Sequence, residues 1–495
     1  MQNADVTPTR TKTRDNELMI GAAFMSAGNI IRFGLQLVML PIIARMLGPH
    51  VYGVASFAMP LISLASLIGD TGLSSAVAGG AQMSVKIESN IFWVSVVSGG
   101  SLALLVSLIA VPMGYISRQM EIIPVIIGLS PLLIVSAATT LLNGLIIRQH
   151  RFWAFMVGDI LSFILSSLTA IVLALNGFGI WSLVAQMLVL TGVKFVWLFS
   201  ISRPAIILHM KPSEIRSLIS FGLDVVGANV CNFIGRNVDN MIIGSTMGLT
   251  NLGWYAIAYQ VISIPDAIVS GPILAAVYPR LSKISGDPSA VRMLFMACLS
   301  IVALIVTPAF VGLEATADLA VPLILGAKWL PSVHLIQLLV PSGWLFCIYS
   351  IFYTTLLATG RSRDQLRVGA YLAAATAVGV AGGAMFGTAG VGIGVGFATF
   401  SAAPWYFRLA RTKWGIGVSD IFEALGPPIG GAAFMCVVLA TSRLAGLDRF
   451  LPLAEFPLLI AVGCTAYFGF VAVFRRPALL GHLRFVRKAR DRGAP

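Results

Sequence analysis

The sequence predicts an all-α, polytopic membrane protein of about fourteen transmembrane helices. The helices fall into two pseudo-symmetric six-helix lobes plus two C-terminal helices. Three observations predict this: the composition, a recurrence of long apolar runs, and the placement of basic residues. The 495 residues are 57% hydrophobic and only 11% charged. Soluble domains carry about 25% charged residues, so this chain cannot clothe a water-exposed surface.

The apolar runs come next. A spanning helix needs roughly 20 mostly apolar residues, and Ile91–Pro112, Val157–Leu175 and Phe456–Val473 are of that kind. Candidate spans start near 19, 51, 91, 122, 154, 180, 218, 252, 291, 332, 368, 390, 424 and 456. Residues 1–18 are polar and the run that follows is long enough to span, so it reads as an insertion signal rather than a cleavable leader. No connecting segment is long enough to house an extramembrane catalytic domain.

Charge placement gives the topology. With the N-terminus in the cytoplasm, 25 Lys and Arg fall on the cytoplasmic side and 5 on the other. Arg32, Lys194 and Arg236 lie inside spans. That asymmetry follows the positive-inside rule and predicts an even number of spans with both termini cytoplasmic. The organisation expected is an N-tail (1–18), an N-terminal lobe (19–203), a cytoplasmic linker (204–217), a C-terminal lobe (218–411), two further spans (412–474) and a basic C-tail (475–495). The net charge of +13 is spread over cytoplasmic loops, which argues against a nucleic-acid partner. The tail from Arg475 to Arg492 reads as an anchor beside anionic headgroups.

An internal repeat is visible. A shift of 200 residues aligns 27–64 with 227–264 without a gap, with ten identities in 38 positions. Among them are Asn29/Asn229, Phe33/Phe233, Gly48/Gly248 and Gly53/Gly253. Six spans separate the copies, so the repeat is parallel, and in such transporters the ligand site lies between the lobes near the midplane.

The repeat carries a polar stripe. Span 1 holds Asn29, Arg32 and Gln36; span 7 holds Asn229, Asn232, Arg236, Asp239 and Asn240. At about 100° per residue each set occupies one helix face. Arg236 and Asp239 are close enough in sequence to pair with each other. Such a private pair leaves Arg32 and the asparagines unexplained, and a hydrated cavity accounts for them. Arginine suits phosphate through its forked donors, and amides suit sugar hydroxyls. Lys194 either snorkels toward the cytoplasm or joins the lining. Asp159, Asp224 and Asp266 read as solvated or capping residues near helix ends, and Asp70 as a turn or gate element.

Pro41, Pro60, Pro112, Pro131, Pro265, Pro272, Pro308 and Pro341 interrupt apolar runs and predict bends or packing kinks. The glycines of 390–396 predict close helix approach. Cys231, Cys298, Cys347, Cys436 and Cys464 lie in apolar segments with no metal-ligand spacing, and read as small hydrophobes. The five histidines are scattered and there is no phosphate-binding G-x-x-x-x-G-K-[ST] loop. An enzyme and a self-powered ATPase are both disfavoured, and no cofactor is expected.

Several segments together carry a family resemblance. They are Arg45–Gly53, Gly69–Leu73, Arg148–Phe152, Phe221–Gly253 with its Arg236–Asn240 core, Tyr278–Ser282 and Leu325–Pro331. In this order and spacing they resemble the bacterial polysaccharide transporter family, the Wzx-type flippases of the multidrug/oligosaccharidyl-lipid/polysaccharide superfamily. The resemblance implies fourteen helices, two lobes and a central cavity. It also implies alternating access that carries an undecaprenyl-diphosphate-linked oligosaccharide from the cytoplasmic to the periplasmic leaflet of the inner membrane, for exopolysaccharide or lipopolysaccharide biosynthesis. Cationic cavity groups would meet the diphosphate, and an ion gradient or the membrane potential would drive transport. Implied partners are the lipid-linked substrate, membrane lipids, and the polymerase and chain-length machinery. The competing function is a cation-coupled multidrug antiporter of the same superfamily. A cationic drug would favour carboxylates over the arginines of these stripes.

Overall fold

A computed structural model of the chain describes residues 28, 31–69, 84–149, 151–208, 210–211, 237–444 and 455–474. Among them all regular structure is helical. The chain divides into two compact units, Met1–Gly253 and Trp254–Pro495.

In the first unit α1 covers 31–47, α2 Pro49–Gly69, α3 Val85–Ser117, α4 Ile122–Leu129, α5 Pro131–Arg148, α6 Phe152–Leu175, α7 Ile180–Ser202 and α8 237–247. The helix α9, Leu249–Pro265, begins there and continues into the second unit. After it come a π-helical turn at Asp266–Ser270, α10 at Gly271–Lys283, α11 at Pro288–Ile324, α12 at Leu330–Ala358, α13 at Ser362–Ala384, α14 at Gly387–Trp414, α15 at Val418–Leu444 and α16 at Glu455–Phe474. Eleven helical stretches among the described residues are long and apolar enough to cross a membrane. The helix α14 is a further one of comparable length, 28 residues. The predicted spans starting near 19 and 218 enter the described residues only through α1 and α8.

Sequence chemistry sets the ends. Asp287 caps α11: its carboxylate accepts the backbone N–H groups of Ser289 and Ala290, and Pro288 occupies the first turn, where no donor is needed. Pro131 divides the run 122–148 into α4 and α5 in the same way. Exposed Leu, Val and Ile are common on these helices, as expected where the solvent is lipid. Two thirds of the apolar window around α12 (67%) is buried, against 11% for α7, so α12 is a core helix and α7 a peripheral one.

The repeat is plain in the first unit's backbone. Gly48 and Gly248 both adopt positive φ, 80° and 87°, and each turns one helix into the next. The two corners so formed, α1–α2 and α8–α9, cross each other at glycines. A Cβ on Gly53 would overlap the Leu249 carbonyl oxygen, and one on Gly253 would overlap that of Pro49. Contacts 49–253 and 53–249 interchange under the 200-residue shift, so the copies meet about a local twofold.

At the opposite end the linker is strapped down. The Asn90 amide donates to the Lys211 carbonyl at 2.7 Å and accepts the Lys211 N–H at 2.9 Å. Ser89 Oγ accepts the Ile207 N–H, and Trp93 donates to the Ile207 carbonyl. Glu88 pairs with Arg148 at 2.9 Å, and Arg151 donates to the Ile201 carbonyl. Glu88, Ser89 and Asn90 are buried, yet each has a partner, as burial of polar groups requires. Lys86, Arg148, Arg151, Arg203 and Lys211 therefore share one end of this unit. Arg45 and Arg118 lie at the other, where His50 bonds both Glu121 and Thr250.

In the second unit α13 and α14 approach through Gly379, Gly383, Gly390 and Gly394, where a Cβ on any one would meet backbone of the facing helix. Such contact is open only to small residues. The last two helices pack on α11 through Met435, Leu439, Leu459, Tyr467 and Val471. An ion pair ties each end of α15 to α11: Asp420 to Arg292 at 2.7 Å, and Arg443 to Asp318 at 2.8 Å. Their spacing along α15 is roughly 35 Å at 1.5 Å per residue, so both pairs lie at the margins of a hydrocarbon core about 30 Å thick.

Candidate substrate-binding site

Of the nine site residues expected from the sequence, Asn29, Asn229, Asn232 and Arg236 lie outside the described residues, as do Asp70, Asp224 and Cys231. Arg32, Gln36, Lys194, Asp239 and Asn240 are described, all in the first unit.

Their level along the helices follows from packing register. Gly28 packs against Met156 of α6, and Ile43 clusters with Ala170 of α6 and Leu183 of α7. From Gly28 to Ile43 the chain advances along α6 from Met156 to Ala170, so α1 and α6 run side by side in one direction. The helix α7 runs the other way, since Leu183 meets Ala170 while Lys194 meets Asp159. Arg32, four residues past Gly28, is therefore level with Asp159 and Ile160. Lys194 Nζ lies 2.6 Å from an Asp159 carboxylate oxygen. Three packed helices thus place two cations and one anion at one depth, eight residues or about 12 Å inside the end of α7.

Arg32 is exposed and Gln36 half-buried, and neither has a hydrogen-bond or ion-pair partner among the described residues. An exposed guanidinium at this depth needs water or an anion. Asp239 is buried, with its carboxylate accepting the Asn240 N–H at 2.9 Å. It stands on α8, nine residues before Gly248.

Two sequence expectations are corrected. Asp159 neither caps a helix nor sits free in solvent. It is the eighth residue of α6, and its counter-charge comes from Lys194, a residue too distant in sequence for local pattern to reveal. Asp266 is not at a helix end. Pro265 and Pro272 look like boundaries, but the helix continues through a π-helical turn, so Leu249–Lys283 is one 35-residue stretch with Asp266 at its midpoint. The Ser350 hydroxyl of α12 lies 2.9 Å from its carboxylate.

The four described cysteines are free thiols: Cys298 and Cys347 are buried, Cys436 and Cys464 exposed. Among the described residues no group of His, Cys, Asp and Glu could hold a metal ion.

The segments that suggested a family, from Arg45–Gly53 to Leu325–Pro331, all fall within residues 42–334. That stretch, more than half the chain, matches the sequence profile of a family described as polysaccharide biosynthesis proteins. The chain belongs to that family.

It is 25% identical over 470 residues to the succinoglycan biosynthesis transport protein ExoT of Rhizobium meliloti, covering 94% of each chain. It is 25% identical to the lipopolysaccharide biosynthesis protein WzxC of Escherichia coli, covering 69% of this chain and 70% of that one. The teichuronic acid biosynthesis protein TuaB of Bacillus subtilis is 22% identical, over 70% of this chain and 72% of its own. Among solved structures the fold is similar to a lipid II flippase, MurJ, with a TM-score of 0.72 at 14% identity, covering 93% of this chain and all of that one. A multidrug resistance transporter of the MATE family follows, with a TM-score of 0.61 at 16% identity, covering 80% of this chain and 99% of that one. The chain is thus a multi-pass membrane protein of this transporter fold.

Proposed function

We propose that the protein is a flippase that carries an undecaprenyl-diphosphate-linked oligosaccharide from the cytoplasmic to the periplasmic leaflet by alternating access. The observation that carries this reading is the cationic level inside the membrane. Arg32 and Lys194 outnumber Asp159 at one depth, and Arg32 is exposed there. A diphosphate crossing the bilayer must exchange hydration for fixed positive charge, and guanidinium offers the matching geometry. Gln36 and Asn240 supply amides for glycan hydroxyls. Asn29, Asn229, Asn232, Arg236 and Asp239 complete the lining in this reading.

Membership of a polysaccharide biosynthesis family and a relative named as a succinoglycan transport protein support the same substrate class. A relative named as acting in transport also supports a non-enzymatic role. The basic end of the first unit, with Lys86, Arg148, Arg151, Arg203 and Lys211, is assigned to the cytoplasm by the positive-inside rule. In this reading both termini are cytoplasmic and the membrane is the bacterial inner membrane. An ion gradient or the membrane potential drives the cycle, and the polymerase and chain-length machinery receive the product.

The runner-up, a multidrug antiporter, shares the fold but would favour a site dominated by carboxylates. Reconstitution in proteoliposomes with a fluorescent undecaprenyl-diphosphate oligosaccharide separates the two. Wild type should flip the lipid, and Arg32→Ala and Arg236→Ala should each slow flipping at least severalfold while remaining inserted. Unchanged rates in both variants sink the binding assignment. Drug efflux without flipping by wild type sinks the flippase reading itself.

A further inference from the structure

The hairpin α13–α14 ends in an arrangement that the substrate site does not use. Gly379 faces Gly394 and Gly383 faces Gly390, so the two helices run antiparallel in a fixed register. The same register brings the Tyr371 and Trp405 rings together, with centroids 5.5 Å apart. At 1.5 Å per residue this ring pair lies roughly 25 Å from the turn at Met385 and Phe386. That is near the edge of a hydrocarbon core about 30 Å thick, the level that Tyr and Trp favour.

Arginines follow in two tiers. Arg367 and Arg408 each stand about one helical turn beyond the rings, and Arg363 and Arg411 about one turn further. All four are exposed. The carboxylate among them is Asp364, 3.6 Å from Arg367. The side chains of Arg363, Arg408 and Arg411 have no hydrogen-bond or ion-pair partner among the described residues. Four guanidinium groups thus stand against one carboxylate.

A bias of basic residues toward the cytoplasm is general, but it does not account for unpaired tiers. The hairpin α6–α7 also has a ring pair at its basic end, Trp153 and Trp197, 6.4 Å apart. There Arg151 donates to the Ile201 carbonyl and Arg148 pairs with Glu88, so the protein itself takes up the guanidinium groups. On α13–α14 it does not. The helix dipole favours cations at the end of α14, but it favours anions in the first turns of α13, where Arg363 and Arg367 stand.

Inward of the rings the same face is apolar. Val378 continues the stripe of Arg367 and Tyr371, and Phe400 and Phe397 continue that of Arg408; all three are exposed. The helix α13 packs chiefly on α14, which leaves this face uncovered. A surface that is apolar along the hydrocarbon, aromatic at its margin and cationic beyond matches a phospholipid from acyl chains to phosphate. The arginine forks suit phosphate oxygens, and the excess of positive charge selects a headgroup with no ammonium of its own.

We propose that the cytoplasmic end of α13–α14 is a specific binding site for an anionic phospholipid. Arg367 and Arg408 hold the phosphate, Arg363 and Arg411 the outer part of the headgroup, and the Tyr371–Trp405 pair the ester region. The site does not depend on the flippase reading above.

Native mass spectra of the purified full chain, titrated in detergent with dioleoylphosphatidylglycerol or dioleoylphosphatidylcholine, test this. The first phosphatidylglycerol should bind at least severalfold more tightly than phosphatidylcholine. Arg367→Gln/Arg408→Gln should weaken it at least severalfold and leave phosphatidylcholine unchanged, and Arg367→Lys/Arg408→Lys, which keeps the charge without the fork, should lose less. If the double glutamine variant does not insert, Arg408→Gln alone carries the same comparison. Lys86→Gln/Lys211→Gln removes two basic side chains from the first unit and should have no effect; an equal loss there means a general charge effect and overturns the site. Displacement of the lipid by an equal concentration of inorganic pyrophosphate makes it an ion site and overturns the lipid assignment. Loss of undecaprenyl diphosphate binding in the glutamine variant, with phosphatidylglycerol unchanged, gives the arginines to the transported lipid and also overturns it. So does a dimer that the same variant dissociates, which makes the face an interface between copies.

Discussion

Removing one partner of the Asp159–Lys194 pair should cost more than removing both. The two groups are 2.6 Å apart, with side chains 28% and 31% exposed. At an effective dielectric of about 20 their attraction is roughly 6 kcal/mol, much of it offset by desolvation. Breaking a fully buried pair costs about 3–5 kcal/mol. At this partial exposure about 2–3 kcal/mol is expected for Lys194→Met, which leaves Asp159 charged in the span. The double variant Asp159→Asn/Lys194→Met leaves no charge and should recover most of the loss. Thermal unfolding of the purified protein in nanodiscs would give the coupling from the four variants of the cycle. At about 2–4 °C per kcal/mol for a domain of 150–250 residues, Lys194→Met should lie roughly 4–12 °C below wild type. A coupling under about 0.5 kcal/mol, the limit of simple additivity, would show that the pair does not organise the level on which Arg32 lies.

Gly53→Ala should destabilise by about 1–3 kcal/mol, the usual cost of overpacking, because its Cβ would overlap the Leu249 carbonyl. Gly192→Ala in α7 has open space and should gain about 0.5–1 kcal/mol from helix propensity; equal Tm values for the two would refute the crossing. Asn90→Ala removes both hydrogen bonds that hold the Lys211 backbone, at about 0.5–1.5 kcal/mol each, because the exposed Lys211 groups can turn to water. Limited proteolysis between 203 and 211 should accelerate, and an unchanged cleavage rate would count against the strap. The Asp287 carboxyl is held below its usual range by the Ser289 hydroxyl and the backbone N–H groups of Ala290 and Ser289. Because its folded value is depressed, its stabilisation is present above the ordinary carboxylate range and fades as pH falls through the folded value. The Tm difference between wild type and Asp287→Ala should therefore shrink on acidification below about pH 4, and a constant difference would remove the cap from the account.

What was legible in the sequence was whatever obeys a local period or a fixed offset. Apolar runs gave helices because only helices satisfy their own backbone in lipid. The 200-residue shift pointed to the glycine corners because close backbone contact tolerates no Cβ, whatever else diverges. It also paired Gly48 with Gly248, whose positive φ is easy for glycine alone. Contacts formed between distant segments were not legible. Nothing around Asn90 marks it as the residue that grips a linker 121 positions away, and Asp159 gave no sign of Lys194. At Pro265 and Pro272 the helix runs on through a π turn, because a membrane helix can absorb a missing donor by changing its winding locally.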